Sequence, residues 1–368
     1  MTSDIVLIGG GIAGLCAAVE LAAHQAGSIL LLEQESEPGR HSTARNASLL
    51  LQHTEDPIAA QLAVESRPFY VQPGAGEAPR FRPVGSLLLF SGPDAVDRCR
   101  ARLHGARTLG LEVEELTPEA AARRVPILDA TRFEVAAFCR SDGVIEIGAT
   151  VAALAQRAER AGVTVRCGVH VDSITTAGGR VTGVKTRGGS IDAGLVVVAA
   201  GAAAGALGAG IDAPLPLRIT RRHLAVTGPW NAVDDAWPFT WDLDAGFYFR
   251  PESGGLMLCP CDMVDAPDGD FEVRPETVAL MREMARRLIP AAAGLPIGRS
   301  WAGLRTMTPD DRFIIGPDPR VPGLAWLAGL GGHGMAGGPA AGRMLAERLT
   351  GVSKTVIDAA AVSVERFL

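Results

Sequence analysis

Apolar and polar positions along the chain fall into blocks that predict alternating strands and helices. Asp4-Ile5-Val6-Leu7-Ile8 has the length and character of a buried strand, and the next apolar pattern predicts a helix from about Ile12 to Ala26. Ser28-Ile29-Leu30-Leu31-Leu32-Glu33 reads as a second buried strand ending on a carboxylate. Helical stretches follow at Pro57 to Phe69 and Pro93 to Leu109, with a strand candidate between them at Ser86 to Phe90. Gly148 to Ala161 is amphipathic. Strands are expected behind it at Val163 to Cys167, Val169 to Thr175, Val181 to Thr186 and Leu195 to Ala199, with Gly168, Gly178-Gly179 and Gly188-Gly189 at the turns. Pro214 to Ile297 reads as strand-rich, and it concentrates Trp230, Trp237, Phe239, Trp241, Phe247, Tyr248 and Phe249. Such a cluster suits a pocket wall or a packed sheet face. A strand at Leu324 to Ala328, a glycine loop and a helix from Met335 to Leu349 close the pattern.

Gly9, Gly11 and Gly14 spell G-x-G-x-x-G between the first strand and the first helix. Such a turn brings backbone N–H groups and a helix N-terminus close to a pyrophosphate, because no side chains stand in the way. Glu33, 19 residues past Gly14, falls where a ribose hydroxyl needs an acceptor. A dinucleotide is the expected guest. NAD and FAD stay open on these residues, whereas the Glu33 carboxylate argues against the 2′-phosphate of NADP.

Two later segments favour FAD. Pro38 to Ser48 is a loop rich in hydrogen-bond donors directly after the dinucleotide motif, suited to a phosphate or a flavin ring. Gly329-Leu330-Gly331-Gly332-His333-Gly334 then opens a helix, whose positive end suits the electron-rich edge of a reduced flavin.

Composition narrows the class. At 368 residues the chain exceeds the usual growth of one core, so two domains are expected. The net charge is −6 and no basic run exceeds Arg221-Arg222-His223, which excludes nucleic acid and leaves small molecules as partners. The first strand begins by residue 4, and Leu195 to Ile211 is too rich in Gly and Ala for a membrane span, so a cytoplasmic enzyme is expected. Six scattered cysteines read as free thiols. Cys259-Pro260-Cys261, the close pair, lacks the neighbours of a zinc site and reads as two small apolar groups on one face of an extended segment.

Ile8 to Leu15, Leu31 to Ala47, Asp142 to Ile147, Ala199-Ala200-Gly201, Arg221-Arg222, Gly246 to Pro251, Trp301 to Arg305 and Gly331 to Met335 carry a wider similarity. With both glycine loops in view, the chain resembles the FAD-dependent D-amino-acid oxidase superfamily, most closely the D-arginine dehydrogenase type of D-amino-acid dehydrogenase. The resemblance implies an α/β fold with a Rossmann-like FAD-binding domain from residues 1–54, 145–213 and 298–368. An α+β substrate domain with an antiparallel sheet, residues 55–144 and 214–297, would interrupt it. FAD contacts are implied at Gly9, Gly11, Ile12, Ala13, Gly14, Glu33 and Gln34, and at His41, Ser42, Thr43, Arg45, Asn46, Ala47 and Ser48. Val171, Ala200, Gly201, Gly303, Gly331, Gly332, Gly334 and Met335 complete that set.

By the same resemblance, Arg222 and Arg305 clamp a substrate carboxylate, with Tyr248 touching it. Strand alternation lets only one of Arg221 and Arg222 enter the pocket. His333 or Tyr248 is a candidate base for the substrate amine, and His41 a candidate for a covalent flavin link. The departures bear on substrate: Leu49 and Thr54 replace a histidine and a tyrosine of the D-arginine enzymes, Gly85 replaces their acid, and His333 replaces a tyrosine. Loss of the acid argues against D-arginine, while Phe239 and Trp241 favour an apolar or aromatic side chain. The expected reaction oxidises the Cα–N bond of an amino acid, taken as the D-enantiomer, to an imino acid that hydrolyses to a 2-oxo acid and ammonia. Glycine or sarcosine-type amine oxidation, 2-hydroxy-acid oxidation and a non-catalytic metabolite-binding subunit are the competing readings. The electron acceptor is left open.

Overall fold

A computed structural model describes residues 2–267, 269–352 and 354–368. Its first sheet has eight strands, built around Thr2–Ile8 lying parallel between Ile29–Leu32 and Gly189–Val198. Thr164–Arg166 extends one edge, and Arg180–Thr186 with Val171–Ala177 extends the other. Leu324–Ala328 runs parallel beside the end of Gly189–Val198 and pairs antiparallel with Ile314–Pro317.

Both faces of this sheet are covered, which is why its strands read as continuous apolar runs. Ile5, Leu7, Leu31, Val197 and Leu327 point to a core shared with the helices Ile12–Ala23, Pro57–Val71, Ile147–Arg160 and Gly334–Thr350. Val6, Ile8, Leu30, Leu32, Val196 and Trp326 point to the opposite core. Helix Gly334–Thr350 lies against Ile12–Ala23 at two glycines. A Cβ on Gly342 would stand 2.7 Å from Cys16, and one on Gly338 2.9 Å from Ile12. This contact sets the N-termini of both helices side by side.

The second sheet has nine strands and is largely antiparallel, with Phe239–Asp242 parallel to Ser86–Phe90. Arg218–Thr227 pairs with Ile297–Met307 over ten register positions. Residues 298–307, which the sequence places in the FAD-binding domain, thus pair with the second sheet. The aromatic cluster divides: Trp237, Phe247 and Phe249 pack with helix Pro275–Leu288, whereas Tyr248 packs with Ala47 and Cys259 and has Trp241 and Leu49 at its margin. A three-stranded sheet of Leu49–Leu50, Gly143–Ile145 and Phe81–Arg82 completes the set.

Other differences are local. The first helix stops at Ala23, because the following residues turn left-handed, Gln25 at φ 53° and Gly27 at φ 108°. The strand expected from Leu195 starts at Gly189, which pairs with Thr186 across a tight turn. Among the described residues no helix is long and apolar enough to cross a membrane.

Candidate active site

One cavity of about 990 Å³ runs between the sheets and reaches both helix N-termini. At its first end the wall is largely backbone. Gly9 takes φ 105°, and a Cβ there would fall 2.5 Å from the Ala199 carbonyl oxygen. Gly11, Ile12 and Ala13 face the space directly. Gly14 does not line it: a Cβ would sit 1.8 Å from the Gly9 carbonyl oxygen, so this glycine lets the helix close onto the turn.

Glu33 is buried, accepting from Gly10 N–H at 2.6 Å and from Glu35 N–H at 2.9 Å. Its carboxylate thus holds the glycine turn while still facing the cavity beside Gln34. Thr43 performs a similar task for the first helix, accepting from Ile12 N–H at 3.0 Å. Ser42 donates to the Leu304 carbonyl at 2.9 Å, and Asn46 spans its own loop from the Thr43 carbonyl to Ser48 N–H. His41 is fixed between Gln34 and Glu35 at 3.0 and 2.9 Å. Val171, Ala200, Gly201, Ala47 and Ser48 also face the space, as do Gly331, Gly332, Gly334 and Met335 at the second helix.

Besides Gly14, two members of the expected cofactor set stand behind the wall. A Cβ on Gly303 would lie 2.2 Å from the Arg45 carbonyl oxygen, so this pair brings strand and loop together. The Arg45 guanidinium sits 4.2 Å from the centre of the Phe271 ring.

The second end is built from side chains. Arg221 and Arg222 diverge as strand alternation requires: Arg221 reaches Asp270 at 2.7 Å, and Arg222 enters the cavity. Arg222 stands opposite Gly303 and Arg305 opposite Thr220 on the paired strands, which puts both guanidiniums on one face. Each makes a hydrogen bond to a carbonyl, Arg222 Nε to Asp262 at 3.1 Å and Arg305 to Leu304 at 3.0 Å. Neither makes an ion pair with a carboxylate among the described residues. Burial and the neighbouring Arg222 lower the pKa of Arg305. Two partly desolvated cations kept together in this way have the chemistry to hold an anion.

Tyr248 and Trp241 pair across neighbouring strands with ring centres 5.2 Å apart, and both line the cavity. Burial holds the Tyr248 phenol well above its ordinary value. His333 stands at the first position before the second helix, without a side-chain capping bond; burial and Arg222 lower its pKa, so the imidazole is neutral at pH 7. Leu49, Leu51, Met263 and Phe271 make adjoining wall apolar.

Four sequence expectations need correction. Thr54 is outside the cavity, its hydroxyl donating to the Asp56 carbonyl at 3.0 Å ahead of a helix. Phe239 is fully buried with Leu88, Phe90 and Val135; it shares a strand face with Trp241 but lies two residues, roughly 7 Å, farther along. Gly85 turns at φ 82° against the Phe138 ring, away from the cavity. Cys261 leaves the strand at φ 48° and lines the cavity, whereas Cys259 stays buried in the strand. Burial pushes the Cys259 thiol up, but Cys261, Arg222 and Tyr248 outweigh it and hold it down at about 7. Sequence reasoning also missed Phe271, Met263 and Leu51, which sit in segments without a readable pattern.

A second polar cluster lies apart from the cavity. His53, Cys139 and Asp142 offer ligand atoms within 4.8 Å of one another. The Asp142 carboxylate is already taken by Gln52 N–H at 3.0 Å and the Ser86 hydroxyl at 2.7 Å, so the cluster ties two loops together.

A mouse mitochondrial pyruvate dehydrogenase phosphatase regulatory subunit is 27% identical over 94% of this chain and 41% of its own length. The chain thus spans less than half of that longer relative. A D-amino acid dehydrogenase of Cereibacter sphaeroides is 30% identical over 78% of this chain and 65% of its own. Among solved structures, the L-proline dehydrogenase of P. horikoshii superposes with a TM-score of 0.91 at 27% identity, covering 100% of this chain and 98% of that one. The family model described as DAO, FAD dependent oxidoreductase, matches residues 4–348, and the chain belongs to that family.

Proposed function

We propose that the chain oxidises the Cα–N bond of an amino acid with an apolar side chain, taken as the D-enantiomer, to an imino acid. Water then releases a 2-oxo acid and ammonia. The observation that carries this reading is the pair of guanidiniums, Arg222 and Arg305, facing one cavity without a carboxylate partner among the described residues.

FAD fits the residues present. A Cβ on Gly9 would meet the Ala199 carbonyl at 2.5 Å, so the turn needs glycine to keep its open backbone, and the cavity is continuous from that turn to the second helix. Gly9, Gly11 to Ala13, Glu33, His41 to Thr43, Asn46 to Ser48 and Gly331 to Met335 would hold it. When bound, FAD supplies the two-electron acceptor for the Cα hydride.

The chain's own side chains then supply orientation. Arg222 and Arg305 offer parallel donors to the two carboxylate oxygens, and the Tyr248 phenol, kept protonated by burial, adds another donor. His333, neutral at pH 7, is available to take a proton from the substrate ammonium. Leu49, Leu51 and Trp241 receive an uncharged side chain without exposing it to water.

A second reading, oxidation of a secondary amine such as a cyclic or N-methyl amino acid, is favoured by the likeness to L-proline dehydrogenase along the whole chain. Anaerobic mixing of the FAD-loaded protein with D- and L-alanine, D- and L-phenylalanine, L-proline, sarcosine and D-lactate separates the two. Bleaching of the flavin band by the D-amino acids supports the first reading. Bleaching by L-proline or sarcosine alone replaces it with the second, and no bleaching by any of them overturns both.

A further inference from the structure

Arg222 carries five N–H donors on a planar fork, and the direction of that fork decides where an anion can sit. One donor is committed: Nε gives its hydrogen to the Asp262 carbonyl at 3.1 Å, which leaves the terminal nitrogens for the cavity. Asp262 follows Cys261, whose φ of 48° breaks the strand, so no regular ladder holds this carbonyl. Its own side chain does so instead. Oδ1 accepts from His223 N–H at 2.9 Å, and Oδ2 pairs with His223 Nδ1 at 2.7 Å.

The histidine is fixed in turn. His223 is fully buried, and its Nε2 accepts from Arg274 N–H at 3.0 Å. An accepting Nε2 requires the ring proton to lie on Nδ1, where it points at Asp262. The Asp262 side chain, so anchored, also lies within Coulombic reach of both Arg222 and Arg305.

We infer that Asp262 and His223 are positioning residues: together they hold the carbonyl that aims the Arg222 fork into the cavity. The inference rests on the reading of Arg222 as an anion anchor. Loosening Asp262 lets the guanidinium swing, which weakens the grip on a carboxylate without touching the cofactor cradle on the far side of the cavity.

The test uses the FAD-loaded protein with benzoate as a carboxylate probe and benzamide as its uncharged counterpart, both read by perturbation of the flavin spectrum. D262A is expected to weaken benzoate roughly tenfold, about 1.4 kcal/mol, while leaving benzamide binding and FAD content unchanged. R222M should weaken benzoate more, and adding D262A to R222M should cost nothing further, because the positioning group then has nothing to position. H223Q should follow D262A, and D262N, which keeps an acceptor for His223 N–H, should recover part of the loss. Equal weakening of benzoate and benzamide by D262A, or additive losses in the double variant, would overturn the inference and leave the anchor reading intact. Benzoate binding that R222M does not change, or no binding by the unsubstituted protein, would overturn both.

Discussion

The two ends of the cavity meet charge in different ways. At the glycine turn the wall is main chain: N–H groups, a helix end and glycines that admit no side chain, with Glu33 and Thr43 bonded to the backbone they support. At the opposite end the wall is side chains on strands, where Arg222 and Arg305 carry full charges into a partly buried space. A backbone cradle fails when space is taken away. A side-chain clamp fails when charge or aim is lost. Substitutions at the first end should therefore change FAD content while sparing ligand preference, and those at the second should do the reverse.

The largest effect is expected from Gly14→Val, whose Cβ would collide with the Gly9 carbonyl at 1.8 Å. Overpacking against backbone should cost about 3 kcal/mol or more, seen as loss of FAD from the purified protein and a lowered melting temperature. Arg305→Met should retain FAD yet lose about 100- to 1000-fold in kcat/KM toward whichever amino acid bleaches the flavin, since a desolvated ion contact is worth roughly 2–5 kcal/mol. A similar loss of FAD in that variant would erase the contrast between the two ends. Glu33→Gln should weaken FAD by about 10- to 100-fold, because the amide keeps one acceptor oxygen for either Gly10 or Glu35 N–H and sets an NH2 against the other, with substrate selectivity unchanged. Thr43→Val removes a single neutral acceptor from Ile12 N–H and should weaken FAD only about fivefold.

The smallest effect is spectroscopic. Because the Cys259 thiol is held down at about 7, below its ordinary value of 9.0, its thiolate persists on lowering the pH until about 7 and is protonated beneath that. Far-ultraviolet thiolate absorbance should show this step in the native protein and lose it in Cys259→Ser. In Cys261→Ala the step should move upward, since a donor to the thiolate is gone. No thiolate step in the unsubstituted protein would count against the contact among Cys259, Tyr248 and Arg222.

The same contrast governs what the sequence reveals. The glycine turn, Glu33 and the polar loop lie within the first 48 residues, so local spacing exposes their arrangement. Both strands of that unit are buried on two faces, which makes their apolar runs easy to read. Arg222, Tyr248 and Arg305 come from strands whose pairing is set by long-range register, and only resemblance brought them together in advance. Thr54 and Phe239 were misplaced because their spacing says nothing of depth along a strand or of a helix-capping turn. Asp262 was invisible for another reason: the group that meets Arg222 is a carbonyl, which every residue possesses.

The glycine contact between helices Ile12–Ala23 and Gly334–Thr350 has a consequence for biosynthesis. The two helices are separated by 310 residues, so a ribosome making roughly 5–20 residues per second completes the second about 15–60 s after the first. During that interval the early glycine turn has no lid and an uncovered apolar flank. A nascent chain of this protein should therefore acquire its yellow colour late, and a chaperone that shields Leu15 and Cys16 until the last helix emerges would raise the yield of coloured protein.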